Sequence, residues 1–327
     1  MALSLPVTRL AAVVLLLLVA ALVTEAQQQA GKVPRIGVLT FTQMTAALQE
    51  AFRQGLLDHG YVEGQNIVVE WRAAEGRPDR AKALAVELAR LNVDVIVANL
   101  TPAVQAAKDA TSTIPIVMAS AGDPVGTGFV ASLARPGGNI TGMTGISAEL
   151  SGKRLELLRE LIPGLTRVGL LINATNPFAK TLVDETQVAA KRTGVRLYVV
   201  DVRRPQEIDA AFLAMTKQRA GAVIVDGALT APAWQAAELA VRHRLPSVSN
   251  QRQFVDSGGL MFHGAQFADV YRRAASYVDK ILKGAKPGTL AVEQPTRFEL
   301  AINLRTSKAL GLTVAPSLLL RADQVIE

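Results

Sequence analysis

Arg35-Ile36-Gly37-Val38-Leu39 returns later in the chain as Arg167-Val168-Gly169-Leu170-Leu171. Val95-Ile96-Val97-Ala98, followed by Thr101-Pro102-Ala103, returns as Val223-Ile224-Val225-Asp226, followed by Thr230-Ala231-Pro232. Ile114-Pro115-Ile116-Val117 returns as Leu245-Pro246-Ser247-Val248. Each copy alternates strand and helix, and such a chain folds as a parallel sheet with helices on both faces. Two copies make two lobes, and two lobes leave a cleft between them. The fold class expected is therefore α/β, with two doubly wound parallel-sheet lobes joined by a multi-crossover hinge.

Working outward, lobe 1 is expected to take residues 33–145 plus 266–293, and lobe 2 residues 146–265 plus 294–327. In lobe 1 strands are expected at 36–40, 66–71, 94–98 and 114–119, with helices at 46–57 and 78–91. Thr101 is placed as the N-cap of a third helix, with Pro102 its first residue. Gly122-Asp123-Pro124 is expected to open a short helix running to about residue 133. In lobe 2 a helix is expected at 151–161, a strand from 167, a helix at 178–192 capped by Asn176-Pro177, and strands at 196–200, 222–226 and 247–249. The tail offers a helix at 267–282, short strands at 290–293 and 298–303, and a helix at 306–310. That is too little for a third domain, so these elements are expected to complete both sheets, which makes the chain cross between lobes more than once.

Half of the 327 residues are apolar, so large cores can be buried, and the length favours two domains. Net charge is +7. Arg203-Arg204 and Arg272-Arg273 are only short pairs, and no basic stripe is interleaved with aromatics. The charge reads as a solvated surface and not as a nucleic-acid footprint. Residues 1–26 read as a secretory signal peptide: Arg9, an uncharged apolar run at 10–23, and Thr24-Glu25-Ala26 as a small-residue site with cleavage after Ala26. The run is shorter than the roughly 20 residues a bilayer span requires, so the mature protein is expected not to span a membrane and to reside in the periplasm. The chain has no cysteine, which removes disulfides, thiolate metal sites and cysteine nucleophiles.

In open parallel sheets ligands bind beyond the carboxyl ends of the strands. The loops there supply the candidate ligand-binding residues: Thr40, Phe41, Thr42, Asn99, Thr101, Ser120, Gly122 and Asp123 from lobe 1, and Asn173, Asn176, Phe178, Asp226 and Asn250 from lobe 2. Helix N-termini at such loops favour a carboxylate. Asp226 ends an apolar strand, a costly place for an acid unless it is paired or faces a cleft, and it could meet an ammonium. Together they suit a zwitterion such as an amino acid. Phe41 and Phe178 could cover its apolar part, although both positions suit a core equally well, and Thr101, Asn176 and Asp123 could be caps only.

Catalysis is poorly supplied. The three histidines are His59 and His243, each at a helix end and expected to be solvated, and His263, near a crossover. No Glu-x-x-His pair or carboxylate cluster suggests a metal. There is no Gly-x-Ser-x-Gly elbow, no dinucleotide fingerprint after the first strand, and no phosphate loop ending Gly-Lys-Ser/Thr. No catalytic residue, metal or cofactor is expected.

Four long segments carry a resemblance. They are Gly122-Asp123-Pro124-Val125-Gly126-Thr127-Gly128-Phe129-Val130, Leu133-Ala134-Arg135-Pro136-Gly137-Gly138-Asn139-Ile140-Thr141-Gly142, the run 271–285 beginning Tyr271-Arg272-Arg273-Ala274, and Ile302-Asn303-Leu304-Arg305-Thr306-Ser307-Lys308-Ala309-Leu310-Gly311-Leu312. They closely resemble the ABC-transporter substrate-binding family that includes tryptophan-binding transport proteins. The resemblance spans essentially the whole chain after the leader. It implies a type I periplasmic-binding fold with three crossovers, no enzymatic activity, and an ABC permease and its ATPase as partners. The amino-acid-binding branch resembles this chain at Asp226, where an asparagine usually follows and Gly227 stands here.

The function expected is thus the extracytoplasmic solute-binding component of an ABC importer. It would act as a monomer, closing on a small organic solute such as an amino acid or related carboxylate. The alternatives are a periplasmic ligand-sensing subunit for a membrane receptor and an exported α/β enzyme. A sugar-responsive repressor shares the fold, but the signal peptide and the lack of a helix-turn-helix before the first strand argue against it.

Overall fold

The structure is a computed structural model that describes residues 33–145, 148–229 and 232–327. The proposed leader lies outside these residues. Two sheets organise the chain. The first has the order β2-β1-β3-β4-β5, from β1 (Arg35–Thr40), β2 (Val68–Ala73), β3 (Val95–Asn99), β4 (Ile116–Gly122) and β5 (Ile140–Gly145), all parallel. Alternate residues of a strand face opposite sides, and the cores follow that rule. Ile36 and Val38 of β1 face α1 (Ala46–Leu57) and the late helix α9 (Phe267–Leu282). Leu39 faces α2 (Pro78–Arg90) and α3 (Leu100–Ala110) on the other side.

The second sheet has the order β12-β11-β10-β9-β8-β6-β7. Its strands are β6 (Arg167–Ile172), β7 (Arg196–Asp201), β8 (Ala222–Val225), β9 (Ser247–Ser249), β10 (Met261–Ala265), β11 (Phe298–Asn303) and β12 (Gln324–Ile326). Pairing is parallel except between β10 and β11. One face carries α4 (Ser151–Leu161) and α5 (Ala179–Thr193); the other carries α6 (Ile208–Lys217) and α7 (Ala233–Arg242). Three short helices finish it: α8 (Arg252–Asp256), α10 (Leu304–Ala309) and α11 (Pro316–Leu319).

The duplicated Arg-x-Gly motif has one purpose in both sheets. A Cβ on Gly37 would lie 2.8 Å from Leu88 of α2, and one on Gly169 would lie 2.3 Å from the sulfur of Met215 of α6. The missing side chain lets a helix residue sit directly on the first strand of each sheet.

The chain passes between the sheets after β5, returns after β10 to lay α9 against α1, and leaves again before β11. Several expected elements differ in detail. Residues 123–133 form turns and not a helix: Asp123 takes a positive φ of 40°, Gly128 one of 69°, and the Asp123 side chain accepts from the Gly126 N–H at 2.8 Å. The strand expected at 290–293 is reduced to one bridge, Met143 with Glu293, because the 3₁₀ turn at Pro287–Thr289 and Pro295 flank it. The strand expected at 66–71 lies two residues later, after a turn in which Asn66 holds the Gly60 carbonyl and the Val62 N–H.

Candidate functional site

Both sheets reverse strand order next to their first strand, β1 against β3 and β6 against β8. The carboxyl ends of these strands open crevices, and here the two crevices face each other. Two chambers that share part of their walls lie between them. The inner one, of about 40 Å³, is lined by Thr101, Ser120 and Gly122 of the first lobe and by Arg154, Asn176, Phe178, Asp226 and Asn250 of the second. The outer one, of about 340 Å³, reaches Thr42, Asn99 and Asn250. Leu100, Asn250, Ala265 and Phe267 belong to both walls.

The rim of the first sheet is held in unusual backbone. Leu100 begins α3 at φ 64°, and Ser120 sits at φ 73°. Positive φ is costly for such residues and persists only where the surroundings enforce it. For Ser120 the enforcing feature is a bulge: Ala119 pairs with Met143 and Ala121 with Thr144, leaving Ser120 unpaired. A bulge re-aims a side chain, and Ser120 lines the inner chamber. Thr101 is not a cap. It lies inside α3, whose N-cap is Asn99, and its hydroxyl accepts from the Gly122 N–H at 3.0 Å, tying β4 to α3. Asn99 donates to the Ala119 carbonyl at 3.1 Å.

Asp226 dominates the rim of the second sheet. It is 4% exposed. Its carboxylate faces the Ala228 and Gly227 N–H groups, Asn176 and Arg154, yet burial outweighs them and pushes its pKa up to about 6. Its Oδ2 has no hydrogen-bond partner among the described residues. The Gly227 N–H donates to Asn250 Oδ1 at 2.7 Å, which fixes Asn250 beside the acid. Asn176 is not the N-cap of α5, which is Phe178; its side chain accepts from the Phe178 N–H at 3.1 Å.

Arg154 was not among the sequence candidates. It is 1% exposed, and its Nε donates to the His263 carbonyl at 2.9 Å. Burial lowers its pKa to about 10, against the attraction of Asp226 and then Glu149. A signal did exist. Arg154, Leu158 and Leu161 share one helical stripe, and a charge on an apolar stripe is seldom buried without purpose. His263 is held down to about 4 by burial, then by Arg154 and Lys153, so it is neutral at neutral pH. The other two histidines are not simply solvated: His59 meets Ser276 at 3.0 Å, and His243 stacks on Phe212.

Four sequence candidates line neither chamber. Phe41 is fully buried in the core beneath α2 and α3. Thr40 is buried, with the Arg72 carbonyl as its hydroxyl acceptor. Asn173 holds its own loop, accepting from the Thr175 N–H and hydroxyl. Asp123 joins the lobes instead: Thr181 donates to it at 3.0 Å. Two further bonds cross the cleft, Gln251 to the Thr42 hydroxyl at 3.1 Å and Gln253 to the Gln43 carbonyl. Phe178 closes over Gly122 so tightly that a Cβ there would lie 2.6 Å from the ring. Among the described residues no cluster of His, Asp or Glu could hold a metal, and no helix is long and apolar enough to cross a membrane.

Similar proteins were found by sequence and by structure. A tyrosine-binding protein of Clostridioides difficile (strain R20291) is 29% identical over 266 residues, 81% of this chain and 76% of that protein. A crystal structure from Streptococcus pneumonia, described as the ABC domain in complex with L-Trp, superposes with a TM-score of 0.82 at 27% identity, covering 90% of this chain and all of that one. A conserved domain protein from Vibrio cholerae superposes equally well, at 0.82 and 28% identity over the same shares. The fold is that of the type I periplasmic-binding proteins. Residues 35–326 match the family described as ABC transporter substrate binding protein, and the chain belongs to that family of binding proteins, which are not enzymes.

Proposed function

We propose that this chain is the extracytoplasmic solute-binding component of an ABC importer and that its solute is an amino acid. The observation that carries the reading is the buried Asp226, with one carboxylate oxygen unpartnered beside a chamber built from both lobes. An ammonium group satisfies that oxygen, and a charge-assisted bond in a site shielded from water is strong. The solute carboxylate faces the first turn of α3 and Ser120, where unpaired N–H groups and the helix dipole favour an anion. Two relatives carry amino-acid ligands in their descriptions, tyrosine and L-Trp.

The lobes, residues 33–145 plus 266–293 and 146–265 plus 294–327, close about their three connections. A solute favours the closed form only through contacts to both rims. The Phe178–Gly122 contact and the three cross-cleft hydrogen bonds form in that closed arrangement. Export by the leader, with cleavage after Ala26, brings the protein to a membrane permease and its ATPase. Calorimetric titration of the purified protein with amino acids, one at a time, tests the reading. Saturable 1:1 heat with at least one of them supports it, and no heat with any of them overturns it.

A further inference from the structure

Four neighbouring strands of the second sheet, in the order β9-β8-β6-β7, carry an arginine at their amino ends. Arg167 and Arg196 are the first residues of β6 and β7 and pair in register. Arg219 and Arg244 stand just before β8 and β9. Neighbouring strands lie about 4.8 Å apart, so the four spread over roughly 15 Å. They lie at the end of the lobe away from the chambers. Arg196, Arg219 and Arg244 are exposed; Arg167 is half-buried, and its Nη1 donates to the Gln218 carbonyl at 3.1 Å. None of the four meets a carboxylate among the described residues.

The fold does not require this row. Arg219 and Arg244 follow the last turns of α6 and α7 at φ 56° and 54°. Such a left-handed position suits glycine first and asparagine next, and Gly194 fills it after α5. The duplicated first lobe serves as a control. Arg35 pairs with Val68 there as Arg167 pairs with Arg196. Asn92, at φ 49°, precedes β3 as Arg219 precedes β8. Thr113 precedes Ile114-Pro115 as Arg244 precedes Leu245-Pro246. Of these four only Arg35 is basic, and acids attend it: Glu70 lies 3.8 Å from its guanidinium, and Asp94 accepts its backbone N–H at 2.7 Å. In the second lobe Tyr198 and Gly221 stand at the places of Glu70 and Asp94. Tyr198 is 36% exposed, and Leu213 of α6 is 45% exposed. Both lie on the face that carries α6, because Val200, two residues after Tyr198, packs there.

We infer that the amino end of the second sheet docks on an anionic lipid surface, its four arginines meeting headgroup phosphates and Tyr198 and Leu213 meeting the boundary beneath them. Charge complementarity carries the arginines. The exposed ring and leucine beside them favour a bilayer over an acidic polypeptide, because a phenol ring settles at headgroup level and an apolar side chain below it. A basic patch without a lipid chain holds a membrane only reversibly. The surface faces away from the cleft, so the inference does not depend on which solute binds there.

Co-sedimentation of the purified protein with vesicles is the test, using phosphatidylglycerol mixed with phosphatidylcholine against phosphatidylcholine alone. Binding is expected to the first only, and to be lost in about 1 M salt, where charges are screened within about 3 Å. Arg219→Asn and Arg244→Asn are each expected to weaken binding about fivefold. Neither should lower the melting temperature, since asparagine suits the left-handed position. Lys82→Gln removes the same charge from an exposed place on α2 of the first lobe and is expected to bind as the unaltered protein does. No binding to the phosphatidylglycerol vesicles overturns the inference, as does equal binding to both kinds of vesicle. A Lys82→Gln variant weakened as much as Arg219→Asn also overturns it. Retention on polyglutamate without vesicle binding assigns the row to an acidic polypeptide and overturns the lipid assignment.

Discussion

Asp226→Asn should do two opposite things, and both follow from one buried carboxylate. In the ligand-free protein burial raises the Asp226 pKa from the ordinary 3.8 to about 6. A raised folded-state value means that the folded protein holds this proton more tightly than the unfolded chain. The stability it contributes is complete below about pH 4 and is lost as pH rises through about 6. Two units at 1.36 kcal/mol each come to about 3 kcal/mol. The shift already includes the attraction of Arg154, so a neutral amide at 226 should raise ligand-free stability at pH 7.5 by about 1–3 kcal/mol, a melting temperature several degrees higher. Binding should move the other way. Losing a charge-assisted hydrogen bond costs about 1.5–3 kcal/mol, about tenfold to 150-fold in Kd. The pH profile separates the causes. An ammonium needs the ionised acid, so affinity of the unaltered protein should be flat above about pH 7 and fall about tenfold by pH 5. The variant should show no such fall. The assays are calorimetry from pH 5 to 8 and scanning calorimetry of the ligand-free forms. An unchanged Kd together with a lowered melting temperature would refute this reasoning.

Gly122→Val should leave each lobe folded but hold the cleft open against Phe178. Solute affinity should fall at least tenfold, and small-angle scattering should show no contraction on adding solute; normal contraction would show that the Phe178 contact does not accompany closure. Arg154→Met should destabilise the fold by about 3–5 kcal/mol, since it removes one partner of a buried charge pair. It should also raise the Asp226 pKa further, moving the acid limb of the binding profile to higher pH, and an unmoved limb would show that the two groups are uncoupled. Gly142→Ala should destabilise the first lobe by about 1–3 kcal/mol from backbone strain and by more from a clash, because Gly142 has a φ of 121° and a Cβ there would lie 2.5 Å from the Met118 carbonyl oxygen. Gly164→Ala, at φ 81° with open space around it, should cost less. Urea midpoints compare the two, and equal losses would contradict the packing argument.

The sheets were legible because the duplicated strands are buried, and therefore apolar, over nearly all their length. The rim loops followed from the position rule alone, and Asp226 stood out as an acid at the end of such a strand. What sequence could not give was how each rim residue is turned. Thr101 reads as a cap because a threonine precedes Pro102, yet the helix begins two residues earlier, on the strained Leu100, and the hydroxyl is spent on Gly122. Ser120 was chosen by position, but it enters the chamber through a bulge whose register depends on β5. Phe41 and Phe178 are indistinguishable in sequence; both join a core, and only the contact with Gly122 across the cleft makes Phe178 a chamber wall as well. Arg154 was missed although its place on an apolar stripe marked it, and Phe267 was hidden as the first residue of a helix that returns from the other lobe.

The central claim is that the cleft takes an amino acid. A thermal-shift panel on the purified protein tests it most directly, with amino acids, small carboxylates, sugars, nucleosides and polyamines each at saturating concentration. A ligand at a hundred times its Kd stabilises the folded state by about 2.7 kcal/mol. Shifts of several degrees confined to amino acids are predicted. A flat response to every amino acid, with a clear shift from a sugar, nucleoside or polyamine, would contradict it.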